Sequence, residues 1–144
     1  MKPPVSVGAD SAGRQYFAVA GPISLEAPPW GNAPFDALVF IGASATDSQV
    51  QDALRALIAA NSDWIYTAGS RAKFWHDRVD QLSVEIGRQQ RVGDGSPMTA
   101  CFDEIQSLDQ WETSYSFGGC DYFLFVVVGQ EIPASFHITQ HATK

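Results

Sequence analysis

Apolar and polar positions along this chain repeat with a period that switches between that of a strand and that of a helix. Ala37 to Ile41 is a continuous apolar run ending at Gly42, as expected of a strand buried on both faces. Thr46 and Gln49 then form a capping-box pair at a helix start. Val50, Ala53, Leu54, Leu57 and Ile58 fall at the spacing of one apolar helical face, and Asn61 is suited to end the helix in the left-handed conformation. Trp64 to Ala68 reads as a second strand, closed by Gly69. Ser70 can cap a second helix with inner stripe Trp75, Val79, Leu82 and Ile86 and a stop at Gly87.

The same alternation continues. Arg91 to Ser96 is a turn-rich loop, and Pro97 to Phe102 reads as a short strand, with Pro tolerated at its first position. Ser107 and Gln110 make a second capping box, so a third helix is expected with Leu108, Trp111 and Tyr115 inward and Gly118-Gly119 at its end. Tyr122 to Val128 is the most apolar strand and is expected at the centre. Ser135 to Gln140 alternates Phe136 and Ile138 against His137 and Thr139, as a half-exposed edge strand does. Upstream, Gln15 to Ala20 can form a short strand. Pro22 to Pro34 reads as a loop over the body, anchored on the core by Trp30.

Strand and helix thus alternate three times before the central strand. The expected fold is α/β: one three-layer domain over 15–144, behind a flexible arm over 1–14. It has a mainly parallel sheet of about five strands, three helices on its two faces, and room for an antiparallel strand at one edge. At 144 residues, 45% apolar and 17% charged, the chain suits one folded domain with a sizeable core. The N-terminus carries one lysine, two prolines and no long apolar run, unlike a signal peptide, and the longest apolar run is too short to span a bilayer. Cys101 and Cys120 have no metal-like spacing. A reducing cytoplasm is the expected compartment, with no membrane association.

Charge layout narrows the partners. Arg71, Lys73, Arg78, Arg88 and Arg91 hold five of the nine basic residues, whereas Val92 to Thr143 contains no Lys or Arg and seven acids, in a chain of net charge −7. An acidic half repels phosphate backbones, so nucleic acid is not expected as a partner, whereas a basic protein surface is.

Candidate chemistry is sparse. In open α/β sheets ligands bind beyond the carboxyl ends of the strands. There Ser44, Thr46, Ser70 and Arg71 could cradle a small anion or nucleotide with two helix N-termini, although no GxGxxG or Walker lysine is present, and capping accounts for the hydroxyls. Asp103-Glu104 could share acid–base work or hold a hard metal with Ser44 or Asp47, but adjacent strand-end residues point different ways. Cys101 reads as a buried structural thiol. His76 reads as a lateral residue hydrogen-bonded to Asp80. His137-Ile138-Thr139 and His141-Ala142-Thr143 both spell H-x-T, but on one strand they cannot face each other across a cleft as two-histidine phosphoesterases require.

Two stretches carry a family resemblance. Trp64-Ile-Tyr-Thr-Ala-Gly69 with Trp75-His-Asp-Arg-Val-Asp80 is one; Pro97-Met-Thr-Ala-Cys-Phe-Asp-Glu104 with Trp111 is the other. Over roughly Asp36 to Val128 the chain resembles an uncharacterised family of small bacterial proteins, with Ala68 where that family tends to have Trp and Phe102 where it tends to have His. The resemblance implies no activity. The expectation is a cofactor-free domain that binds a basic protein, as an immunity-type inhibitor or regulator does, with enzymatic activity left open. Its surface is expected at Asp103, Glu104, Asp109, Glu112 and Tyr115, with the Ser44/Thr46/Ser70/Arg71 anion site as the alternative.

Overall fold

The computed structural model describes residues 3–10, 12–87, 98–111, 119–134 and 136–138. Six strands form one sheet: β1 (Val5–Ala9), β2 (Gln15–Ala20), β3 (Asp36–Ile41), β4 (Trp64–Gly69), β5 (Met98–Phe102) and β6 (Tyr122–Val128). Two α-helices follow β3 and β4: α1 (Asp47–Ala59) and α2 (Ala72–Leu82). The strand order is β1-β2-β6-β3-β4-β5; β1 runs antiparallel to β2 and every other pair is parallel. The α/β class and the mainly parallel sheet are therefore as expected, with six strands rather than five. The most apolar strand, β6, lies between β2 and β3, with Phe123 to Val128 buried.

Helix α1 follows the sequence pattern closely. Thr46 Oγ1 accepts from Gln49 N, Gln49 Oε1 accepts from Thr46 N, and Val50, Ala53, Leu54, Leu57 and Ile58 are its buried residues. Asn61 takes a positive φ of 63° just beyond the helix. In α2, Trp75, Val79 and Leu82 are buried as the stripe requires. Its N-cap, however, is Arg71 in the left-handed region rather than Ser70, with no side-chain cap, and the helix widens into a π turn over Ser83–Gly87.

Strand order dictates where the layers lie. Moving β2→β3→β4→β5, each parallel crossover steps the same way along the sheet, so right-handedness keeps all of them on one face. That face holds both α-helices and the loop carrying Ile23, Trp30 and Phe35, packed on Val19, Val39, Ile65, Leu124 and Val126. Trp30 is 6% exposed, the anchor its loop was expected to have. The β5→β6 connection steps back across the sheet and so crosses the opposite face. There Ile105, Leu108, Trp111, Phe136 and Ile138 cover Tyr16, Tyr66, Phe102, Phe123 and Phe125.

Four expectations change. The third helix is a single 3-10 turn, Leu108–Gln110, among the described residues. Trp111 adopts an extended φ/ψ of −69°/136° and turns its ring onto Phe123 and Phe125, at centroid distances of 5.2 and 5.3 Å. Core packing overrides the local start signal, and the described α-helices share one face of the sheet instead of covering both. The stretch read as an arm over 1–14 contains β1, an edge strand bulged between Ser6 and Gly8, where Gly and flanking Pro are tolerated. The edge strand expected over Ser135 to Gln140 reduces, among the described residues, to one parallel bridge, Gly8 to Ile138, with Phe136 and Ile138 buried as the alternation implied. Among the described residues no helix is long and apolar enough to cross a membrane.

Candidate functional site

The carboxyl ends of β3 and β4, where the anion cradle was expected, close on each other through backbone. Gly69 has φ +87°, and a Cβ there would lie 2.3 Å from Ile41 O. Ser70 N donates to Ile41 O at 2.7 Å and Gly69 N to Ile105 O at 3.0 Å, so the ends of β3, β4 and β5 are sewn together through backbone. Between β3 and β6 the gap is filled by Gly129 against Ala45 and by the Gln130 side chain against Gly42. A phosphate needs free N–H groups at such a crevice. Here the Ser70 N–H is already used.

The four cradle residues do lie at this edge, and two of them, Thr46 and Arg71, are engaged locally. Thr46 caps α1, Ser44 is exposed and Ser70 is half-buried. Arg71 Nη1 donates to Asp47 Oδ1 at 2.8 Å, and its guanidinium lies 4.3 Å from the Phe74 ring centroid. Asp47 thus brings a carboxylate to the α1 N-terminus and takes the charge that an anion would need. A cavity of about 230 Å³ opens nearby beside α1, lined by Gly21, Ile23, Ala53 and Val128 with Gln49 and Asp52. Its lining carries no cation, so it does not complete an anion site.

Asp103 and Glu104 are exposed in the turn that leaves β5. Cys101 Sγ donates to Asp103 Oδ1 at 3.1 Å; burial, then this carboxylate, pushes the thiol up to about 11. That is the opposite of what a nucleophilic cysteine requires. The Asp109 side chain, Glu112 and Tyr115 fall outside the described residues. His76 hydrogen-bonds its neighbour Asp77 through Nδ1 (3.1 Å) and Thr99 Oγ1 through Nε2 (3.1 Å), rather than Asp80. The contact with His76 holds the exposed Asp77 carboxyl below its ordinary value.

The opposite, amino edge of the sheet holds a cluster that sequence reading missed. Asp36 opens β3, Asp63 precedes β4 and Cys120 precedes β6, three neighbouring strands. A ligand-type atom from each lies within 4.8 Å of the others. Asp36 is fully buried, and its Oδ2 accepts from Arg14 Nη2 at 2.5 Å and from Cys120 N at 3.3 Å. Arg14 Nε donates to Cys120 O at 2.9 Å. Arg14 is held in turn by Asp10, whose Oδ1 accepts from Arg14 N and whose Oδ2 accepts from Tyr16 Oη at 3.0 Å. Cys120 Sγ donates to Asp63 Oδ2 at 3.5 Å. Burial raises the Asp36 carboxyl above its usual value although Arg14 opposes it, and burial next to the two carboxylates raises the Cys120 thiol. Each residue sits alone in its own stretch of sequence, so only the strand order brings the cluster together. Its one local sign is a charged residue, Asp36, at the head of an apolar run.

No curated protein and no solved structure matches the chain. The sequence does match a recognised domain pattern, as the motifs around Trp64, Trp75 and Trp111 led us to expect. Over residues 15–113 it fits the domain of unknown function DUF7684, and the chain belongs to that family.

Proposed function

We propose that this domain is a small acidic protein-binding module that docks a basic protein partner, in the manner of an immunity-type inhibitor or a regulator. The observation that carries the reading is the free flank of β5. This strand ends the sheet order, and among the described residues no strand pairs with its outer side. Met98 at its start is 58% exposed. Asp103 and Glu104 project at its end. An open edge offers backbone donors and acceptors to an extended segment of a partner, an exposed apolar side chain gives an anchor, and the acids steer a basic surface. Asp109, Glu112 and Tyr115 follow in sequence and belong to the same proposed surface. The closed carboxyl ends of β3 and β4, with Arg71 committed to Asp47, weigh against an anion or nucleotide site. The free thiols Cys101 and Cys120 suit a reducing cytoplasm, where we place the protein.

The test is affinity capture from the source cell's lysate with the parent and with the Asp103→Lys/Glu104→Lys variant, at low and high salt. One stoichiometric basic protein, retained by the parent at low salt and lost by the variant and at high salt, is the expected result. Equal retention by the two proteins would remove this surface from consideration.

A further inference from the structure

We propose that Asp36, Asp63 and Cys120 form a binding site for a divalent transition metal ion of the zinc type, at the amino edge of the sheet. The three donors converge to within 4.8 Å from three different segments. A second observation points to a ligand: Asp36 is fully buried, yet its Oδ1 has no hydrogen-bond partner, while Oδ2 takes both the Arg14 and the Cys120 N–H bonds. An orphaned carboxylate oxygen in that position is unfavourable unless something positive meets it.

The backbone carrying the donors is fixed on all sides. Asp36 pairs in register with Trp64 and with Phe123, so Asp63 and Cys120 stand at the heads of the two flanking strands. Asp63 N donates to Phe35 O and Asp63 O accepts from Met98 N. Arg14 clamps Cys120 O and Asp36 Oδ2 together. It therefore stands to the site as the hydrogen-bonded partners of metal ligands do, orienting a carboxylate without touching the ion. Cys120 is half-buried and Asp63 exposed, which leaves a solvent side for entry and for a water in a fourth position.

Charge and ligand softness select the ion. Two carboxylates and a thiolate bring three negative charges against the one positive charge of Arg14, and a divalent ion balances the remainder. A sulfur donor disfavours magnesium and calcium, which take oxygen shells, and suits zinc or cobalt. On binding, the metal–sulfur bond replaces the S–H bond of Cys120 and the proton passes to solvent.

The test uses cobalt(II), titrated into the full chain after chelator treatment. The expected result is a thiolate-to-cobalt charge-transfer absorption in the near ultraviolet, bleached by one equivalent of zinc. It should persist in Cys101→Ser and vanish in Cys120→Ser. Asp63→Asn alters an exposed side chain, and should weaken cobalt binding by at least about tenfold. No charge-transfer absorption in the parent, or its persistence in Cys120→Ser, overturns the proposal. So does an Asp63→Asn variant that binds cobalt as the parent does.

Discussion

Arg14 and Asp36 form an ion pair sealed from solvent, Nη2 to Oδ2 at 2.5 Å, with side chains only 9% and 0% exposed. The pair ties the β1–β2 turn to the first residue of β3 across the head of β6, where Arg14 Nε also holds Cys120 O. Such a pair reveals itself when one partner is removed, because the other charge is left buried and uncompensated. Arg14→Met is expected to lose about 3–5 kcal/mol of stability in urea denaturation, and the double variant Arg14→Met/Asp36→Leu to regain much of it, since apolar replacement of a buried pair is often neutral. A single variant as stable as the parent would show that Asp36 finds other compensation.

The closure of the carboxyl ends of β3 and β4 rests on Gly69. Its φ of +87° favours glycine, and a Cβ would collide with backbone atoms of Ile41 rather than with a movable side chain. Gly31 also has a positive φ, +67°, but open space around it. Gly31→Ala should therefore lose only the conformational part, about 1–3 kcal/mol. Gly69→Ala should lose clearly more, because β3 and β4 must part. Urea midpoints of the two variants test this, and equal losses would show that the contact with Ile41 yields.

What could be read from the sequence, and what could not, divides along physical lines. Helix α1 was legible to the residue, because Thr46, Gln49 and the stripe from Val50 to Ile58 all act within one helix. The parallel strands were legible as apolar runs. The third helix was not, since its start signal at Ser107 and Gln110 is local whereas the pull of Trp111 toward Phe123 is tertiary. Strand β1 was hidden by Pro3, Pro4 and Gly8, which an edge strand accepts and a central strand does not. The Asp36, Asp63 and Cys120 cluster was invisible because it depends on β6 inserting between β2 and β3, and strand order is not written in any local pattern.

Trp30 makes a further test of the fold. It comes from a Pro- and Gly-rich loop, yet packs on Phe17 and Phe35 with ring centroids at 5.2 and 4.9 Å. The loop is therefore part of the helical face of the core. Trp30→Ala should lose about 3–5 kcal/mol, the usual range for removing a buried aromatic. A loss within the noise of a thermal melt would mean that the loop merely lies over a core complete without it.

Cys101 gives a prediction in pH. Burial and the hydrogen bond to Asp103 raise its thiol to about 11 from an ordinary 9.0. At neutral pH its thiolate is then about a hundredfold scarcer than that of a free cysteine, and alkylation by iodoacetamide should be slowed in proportion. The sign for stability follows from the same shift. The neutral thiol is favoured in the folded state, so its contribution is complete below the ordinary value and is lost as pH rises through about 11. Asp103→Asn removes the negative charge next to the sulfur, lowers the thiol value and should speed alkylation. The comparison is made in a Cys120→Ser background, so that Cys101 alone is read. If Asp103→Asn leaves the rate unchanged, burial by itself protects the thiol, and the carboxylate beside it is free to face a partner.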